Sequence, residues 1–355
     1  MRHSGVTTYA AVNATTRALY SKLLTAETCH LLVQARNLDA LVTTLTTTAY
    51  APYLKMDRQA LTPRRVVYQL RWHLAHGYDK LIRLTPEPGG TLLTQLWRLY
   101  EVDNLKAILR GIATGATWNE VLRLLSPMTR HVTLTLDDMQ RMLDSGAIVR
   151  AIERIRHTPY YEILVHALDR YEAEQSLFPL EVALDLDHRR SIWQTIHDLK
   201  GVDHEHALRL VGTFIDADNL LWAARYRAYH RLSTQEIINY TLPFGYQVRD
   251  EDIRAIASSA TGDPDAIVSV TRHLYPDLEA LDNITPERRL AALERALNRR
   301  ITRLCRKTFL GDPFHIGVPV AYLLLLEYEL RDLTAIVEAT ASGLPVETLA
   351  ATIDI

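Results

Sequence analysis

Tyr100-Glu-Val-Asp103-Asn104-Leu105, with Arg110 after it, decides how this chain is read, because the chain repeats it twice. It returns as Phe214-Ile-Asp-Ala-Asp218-Asn219-Leu220 with Arg225, and again, altered, as Tyr328-Glu-Leu-Arg331-Asp332-Leu333 with Glu338. The steps are 115 and 113 residues. Other landmarks keep the same phase. Thr48-Ala-Tyr50, Thr158-Pro-Tyr160 and His273-Leu-Tyr275 precede the three signatures by 53, 58 and 56 residues, and Glu120, Glu236 and Glu347 follow them by 17, 18 and 16. Pro127 and Pro243 each lie seven residues past their Glu, a step that falls on Asp354 in the third copy. One unit of about 115 residues therefore accounts for the chain three times over. Three similar lobes suggest a pseudo-threefold body, a shape suited to docking more than to chemistry.

Around the signatures the apolar spacing is helical. Leu92, Leu96, Leu99, Val102, Leu105, Leu109 and Ile112 make one stripe along a long helix, and the pattern recurs over His206 to Arg231 and Val320 to Val337. Each long helix gives way to a short one. Thr117-Trp-Asn-Glu120 and Ser233-Thr-Gln-Glu236 read as capping boxes, and the third copy opens instead with Ser342-Gly343 and Leu344-Pro345-Val346-Glu347. Pro63 after Thr62 opens a further helix near Arg64 to Leu84. Period-two runs are nearly absent, so the class is all-α. Thr85-Pro-Glu-Pro-Gly-Gly90, Ser126-Pro127, Leu242-Pro-Phe-Gly245, Thr261-Gly-Asp-Pro264 and Gly311-Asp-Pro313 have the chemistry of connectors. The connectors near 127 and 243 divide the chain into lobes 1–126, 127–242 and 243–355.

Composition narrows the function classes. With 48% hydrophobic and 23% charged residues the chain is globular, neither disordered nor fibrous. A net charge of −2 argues against a general nucleic-acid binder, which needs a basic field. Cys29 and Cys305 are too few and too far apart for a disulfide framework or a structural zinc site, and read as buried thiols. The N-terminal residues have no apolar segment of the signal-peptide kind. The longest apolar run, Ile316 to Leu326, has 11 residues where a span needs about 20, so it is expected to be a buried core helix.

The charged members of the signatures stand seven residues apart: Asp103 and Arg110, Asp218 and Arg225, Arg331 and Glu338. Two helical turns put each pair on one face but ~10.5 Å apart along the axis, too far to touch. Their partners must come from a neighbouring helix or lobe. The expected role is an ion pair that fixes helix register, with a partner-binding surface as the alternative. Asn104, Asn219 and Asp332 complete the structural signature.

Catalytic motifs are missing: there is no Gly-rich phosphate loop, G-x-S-x-G, H-E-x-x-H or C-x-x-C. His197-Asp198 and Asp203-His204-Glu205-His206 form the most tempting cluster, but histidines two apart point in different directions on a helix. Asp203 reads as the N-cap of the helix that follows. No catalytic, cofactor or metal residue is assigned. One basic strip does stand out: Arg295, Arg299, Arg303 and Arg306 share a helical face opposite Leu293, Leu297, Ile301 and Leu304. Its plain reading is a solvated face; its functional reading is a docking strip for an acidic partner or lipid headgroups.

Tyr9-Ala-Ala-Val-Asn-Ala with Arg17-Ala-Leu and Leu23-Leu24, Leu38-Asp-Ala-Leu41 through Thr48-Ala-Tyr50, and Tyr100 through Arg110 together resemble the C subunits of archaeal and bacterial V-type (A-type) ATPases, counterparts of the eukaryotic d subunit. The resemblance runs along the whole chain, with Ala14 standing where many relatives have Arg. It implies an all-helical funnel of three lobes around a pseudo-threefold axis. It also implies a non-catalytic rotor adapter, seated on the membrane proteolipid ring and receiving the central-stalk D and F subunits. Such a protein is cytoplasmic and peripheral, without cofactor, nucleic acid or transmembrane segment, and transmits torque for proton or sodium translocation. The rival readings are a helical scaffold of an unrelated complex and a helical enzyme with an unrecognised site. A solenoid scaffold would repeat every 33–47 residues or so, well below the period here.

Overall fold

A computed structural model describes residues 3–57, 61–229, 232–259, 265–278 and 284–344, whose regular structure is helical throughout, with no strand among them. The first copy comprises α1 (His3–Tyr20), α2 (Ala26–Val33), α3 (Leu38–Leu45), α4 (Pro63–Leu84), α5 (Gly89–Thr114) and α6 (Trp118–Leu122). The second comprises α7 (Leu136–Asp144), α8 (Ile148–Arg154), α9 (Tyr160–Glu174), α10 (Phe178–Asp198), α11 (Gly201–Ala228) and α12 (Thr234–Asn239). The third comprises α13 (Asp250–Ala257), α14 (Asp265–Leu274), α15 (Pro286–Thr308) and α16 (Gly317–Ser342). Each copy thus runs through two short helices, a long one and the helix that carries the signature. The connector Thr261 to Pro264, Arg231 and everything from Pro345 onward, Glu347 and Asp354 included, lie outside the described residues.

Local chemistry explains most helix ends. The capping boxes at Thr117/Glu120 and Ser233/Glu236 form as expected, and Thr135/Asp138 makes another at the start of α7. Helix α4 begins with Pro63 behind the Thr62 cap. Helices α5 and α16 end alike. Gly115 and Gly343, both at φ 66°, turn the chain left-handed, and the next N–H reaches five residues back, Ala116 to Gly111 and Leu344 to Ala339.

The described residues form two compact units, one of 3–13 with Ile196–Leu325, the other of Ala14–Thr195 with 326–344. In the second, α5, α7 and α8 share a core in which Val102, Leu105, Ile108, Leu109, Met139, Met142 and Ile152 are nearly or fully buried. In the first, α11 carries Leu210, Val211, Ile215 and Leu220 into the interior, beside Leu293, Leu297 and Ile301 of α15. Each fully buried side chain of this size contributes roughly 1.5–3 kcal/mol. The apolar run Ile316 to Leu326 is buried throughout, as expected of a core segment. No helix among the described residues is long and apolar enough to cross a membrane.

Candidate functional site: the signature residues and their partners

The Asn of the signature has a definite backbone task. Ser126 and Leu242 each precede a proline, which keeps them out of helical geometry and leaves their N–H and C=O groups without helix partners. Asn104, 1% exposed, accepts from the Ser126 N–H at 2.6 Å and donates to its carbonyl at 3.1 Å. Asn219, fully buried, does the same for Leu242 at 3.0 and 3.3 Å. A carboxamide carries one acceptor and one donor side by side, so it pairs with a stretch of backbone as a strand would. Asp332 is buried at the third position but has no donor when ionised, and the equivalent connector lies outside the described residues.

The charged pairs find partners on the neighbouring long helix. Arg110 grips Glu181 of α10 with two bonds of 2.6 and 2.7 Å, and Arg225 holds Glu294 of α15 at 2.7 Å. Asp103 meets Lys106, which reaches on to Asp185 at 2.7 Å. The two arginine pairs sit at the surface, with Arg110 60% and Arg225 40% exposed, whereas Lys106 is only 14% exposed. Asp218 is half-buried. In the third copy Arg331 lies over the Tyr328 ring and 3.9 Å from Asp332, while Glu338 is exposed.

Sequence reasoning passed over a third set. Two residues before the signature charge stand Glu101, Asp216 and Glu329, in phase and all acidic. Glu101 accepts from the Thr133 and Leu134 N–H groups and from the Tyr160 hydroxyl at 3.0 Å. Asp216 accepts from Tyr246 and Gln247 N–H, each at 2.8 Å, and from the Tyr275 hydroxyl at 2.7 Å. Glu329 accepts from Leu24 N–H at 2.6 Å and from the Tyr50 hydroxyl at 2.8 Å. The three tyrosines are the landmarks read from the sequence. Each acid therefore ties both ends of a short-helix pair, α7–α8, α13–α14 or α2–α3, that belongs to the next copy. After the third signature comes the first copy again. Burial pushes all three carboxyls up against these hydrogen bonds, Glu329 to about 7. Gly245 has no side chain because a Cβ there would run into Asp216.

Asp203 is not an N-cap: Lys200 occupies that position, and Asp203 lies in the first turn of α11. There its carboxylate accepts from the Tyr9 hydroxyl at 2.9 Å and the Ile316 N–H at 2.7 Å, a tertiary role that displaces the local one. His204 bonds the Ile196 carbonyl, and His206 stacks face to face on His315 with ring centroids 3.5 Å apart. Among the described residues no three His, Cys, Asp or Glu side chains group as metal ligands. Along α15, Arg295 and Arg299 are half-buried and Arg303 and Arg306 exposed, while Leu293, Leu297 and Ile301 face the core and Leu304 is half-buried. Cys29 and Cys305 are both buried free thiols.

Fold and signatures together define an all-helical repeat protein whose recurring polar residues hold helices to one another. A family model described as ATP synthase (C/AC39) subunit matches residues 12–351. The chain belongs to that family. It is 25% identical to the C subunit of the A-type ATP synthase of Methanocaldococcus jannaschii over 96% of this chain and 84% of the relative. To those of Desulfurococcus sp. and Methanothermobacter thermautotrophicus it is 24% and 26% identical, over 96% and 75% of this chain and 89% and 68% of the relatives. On that kinship the chain is a structural component of an ATP synthase rather than its catalyst.

Proposed function

We propose that this chain is the central-rotor adapter of an A-type ATPase, linking the stalk D and F subunits to the membrane proteolipid ring and passing torque between them for proton or sodium translocation. Its three copies form lobes near 1–126, 127–242 and 243–355 about a pseudo-threefold axis. The body is a funnel with its broad end on the ring, at the inner face of the membrane, and an axial cavity for the stalk. The observation that best supports this reading is the acid–tyrosine join at all three signatures, the last made by Glu329 and Tyr50 across 279 residues. A set of joins that returns to its start suits a closed body, which a rotor coupling needs; an open solenoid has free ends. The exposed members of the strip Arg295, Arg299, Arg303 and Arg306 offer carboxylate docking for the stalk, so stalk association is expected to weaken with salt.

Affinity purification of the tagged chain from solubilised membranes tests the reading. Recovery of proteolipid and stalk proteins together is expected. Recovery of neither, or an intact stalk–ring assembly lacking this chain, would overturn it. Arg299→Glu with Arg303→Glu is expected to lower recovery of the stalk; unchanged recovery would return that strip to a solvated face.

A further inference from the structure

Between the first turn of α4 and the end of α6, Thr62, Arg64, Arg65, Tyr68, Leu122 and Arg123 line an open groove of about 660 Å³. All six belong to the unit that contains Ala14–Thr195. The three arginines are exposed, and none makes an ion pair with a carboxylate among the described residues. The nearest acid along α6, Glu120, commits its carboxylate to the Thr117 N–H and hydroxyl at 2.7 and 2.8 Å, and Arg123 acts on it only through its charge, without a direct bond. Exposed arginines are ordinarily just solvated. Here, however, they rim a groove with an apolar and aromatic floor.

That floor continues up the helix. Tyr68 meets Trp72 edge-on at 6.4 Å, Trp72 stacks on His76 at 5.4 Å, and His76 stacks on Tyr53 at 5.5 Å. Rings braced by one another present contact area that loses little freedom on binding. Leu122, which lines the groove with Tyr68, is 37% exposed. Aromatic residues and arginine are the side chains enriched where protein interfaces concentrate their binding energy.

The basic wall also breaks the repeat. Three residues past the in-phase Glu, the copies carry Arg123, Asn239 and Ala350. Helix α10 opens Phe178-Pro-Leu-Glu181, with an acid in the turn where α4 has two arginines. Helix α15 opens Pro286-Glu-Arg288-Arg289, which keeps the arginine pair but sets an acid before it. Only the first copy therefore joins two unopposed arginines to a third at the Arg123 position. A contact present once per chain fits a segment present once, not one multiplied by symmetry.

We propose that this groove docks an acidic polypeptide segment of another protein of the complex, with carboxylates facing Arg64, Arg65 and Arg123 and an apolar side chain covering Tyr68 and Leu122. Guanidinium forks hold carboxylates through paired hydrogen bonds, which fixes orientation as well as attraction. A concave groove suits an inserted segment, whereas a bilayer surface engages a protruding amphipathic face. The inference rests on the proposed place in the ATPase only for where the occupant comes from.

Tyr68→p-benzoylphenylalanine, photolysed in the assembled complex and mapped by mass spectrometry, is expected to cross-link one other polypeptide of the complex, near Asp or Glu residues. Arg64→Glu, Arg65→Glu and Arg123→Glu together should cut that cross-link by roughly tenfold or more at physiological salt, and the three Lys replacements should restore part of it. If the reversed chain fails to fold, the cross-link in the otherwise native chain decides. A chain that stays in the complex but cross-links no other polypeptide overturns the groove and leaves the adapter reading standing. A cross-link to phospholipid, or binding to phosphatidylglycerol vesicles that charge reversal abolishes, overturns it in favour of a membrane contact. A native chain absent from the complex overturns both.

Discussion

Asn104 and Asn219 each answer two backbone groups that the following proline has shut out of a helix, and no water replaces them once they are buried. Removing the side chain strands a donor and an acceptor, so Asn104→Ala and Asn219→Ala are each expected to cost about 2–4 kcal/mol in urea unfolding. Arg110→Ala removes a pair whose arginine is 60% exposed, and should cost less than about 1 kcal/mol in the same measurement. The conspicuous charge thus matters less to stability than the quiet amide. Glu329 gives a pH signature. Its pKa of about 7 lies above the ordinary 4.5, so the folded chain holds that proton between the two values while the unfolded chain has released it. Its contribution is whole below the lower value and is lost as pH rises through the window, a drop on the order of 1–3 kcal/mol. Glu329→Gln keeps an acceptor for Leu24 and Tyr50 but carries no titrating charge. Thermal melts of the variant should lack that part of the decline between about pH 4.5 and 7; identical slopes would refute the assignment. Charge made the Asp and Arg positions legible in the sequence. Glu101, Asp216 and Glu329 escaped because a carboxylate on a helix reads as solvated until its partner is known. The in-phase tyrosines were that partner, visible all along as a second spacing.

Elements were legible where periodicity and end chemistry agree. The long stripes of α5, α11 and α16 and the boxes opening α6 and α12 could be read because burial and capping act within a few residues. Asp203 could not, since its acceptors are taken up by Tyr9 and Ile316, 194 and 113 residues away. Local rules offered the cap, and tertiary bonding overrode it. Helix ends also carry the plainest test at this scale. Gly115 and Gly343 sit at φ 66°, with no atom near enough to clash with an added Cβ, so Gly→Ala at either meets only the backbone penalty. A loss of roughly 1 kcal/mol at each is expected by thermal denaturation. Thr117→Ala should cost a similar amount through the lost box. A neutral result at Gly115 would mean that α5 does not end in the left-handed turn described.

For the molecule as a whole, residues 326–344 complete a unit whose other residues begin at Ala14. A chain truncated after Leu325 loses the acceptor of both Leu24 and Tyr50, so limited proteolysis should cut it first within residues 14–84. Equal resistance in the truncated and full-length chains would show that this join carries no weight. The same join has a consequence in time. A ribosome adds about 5–20 residues per second, so Leu24 emerges many seconds before Glu329, 305 residues later, is made. A part of the chain made long before α16 is therefore among the last to be fastened. Through that interval its apolar helices stand open to chaperones, proteases and neighbouring nascent chains, and arrested chains sampled by pulse proteolysis should show Ala26–Val33 and Leu38–Leu45 becoming protected only after α16 has left the exit tunnel.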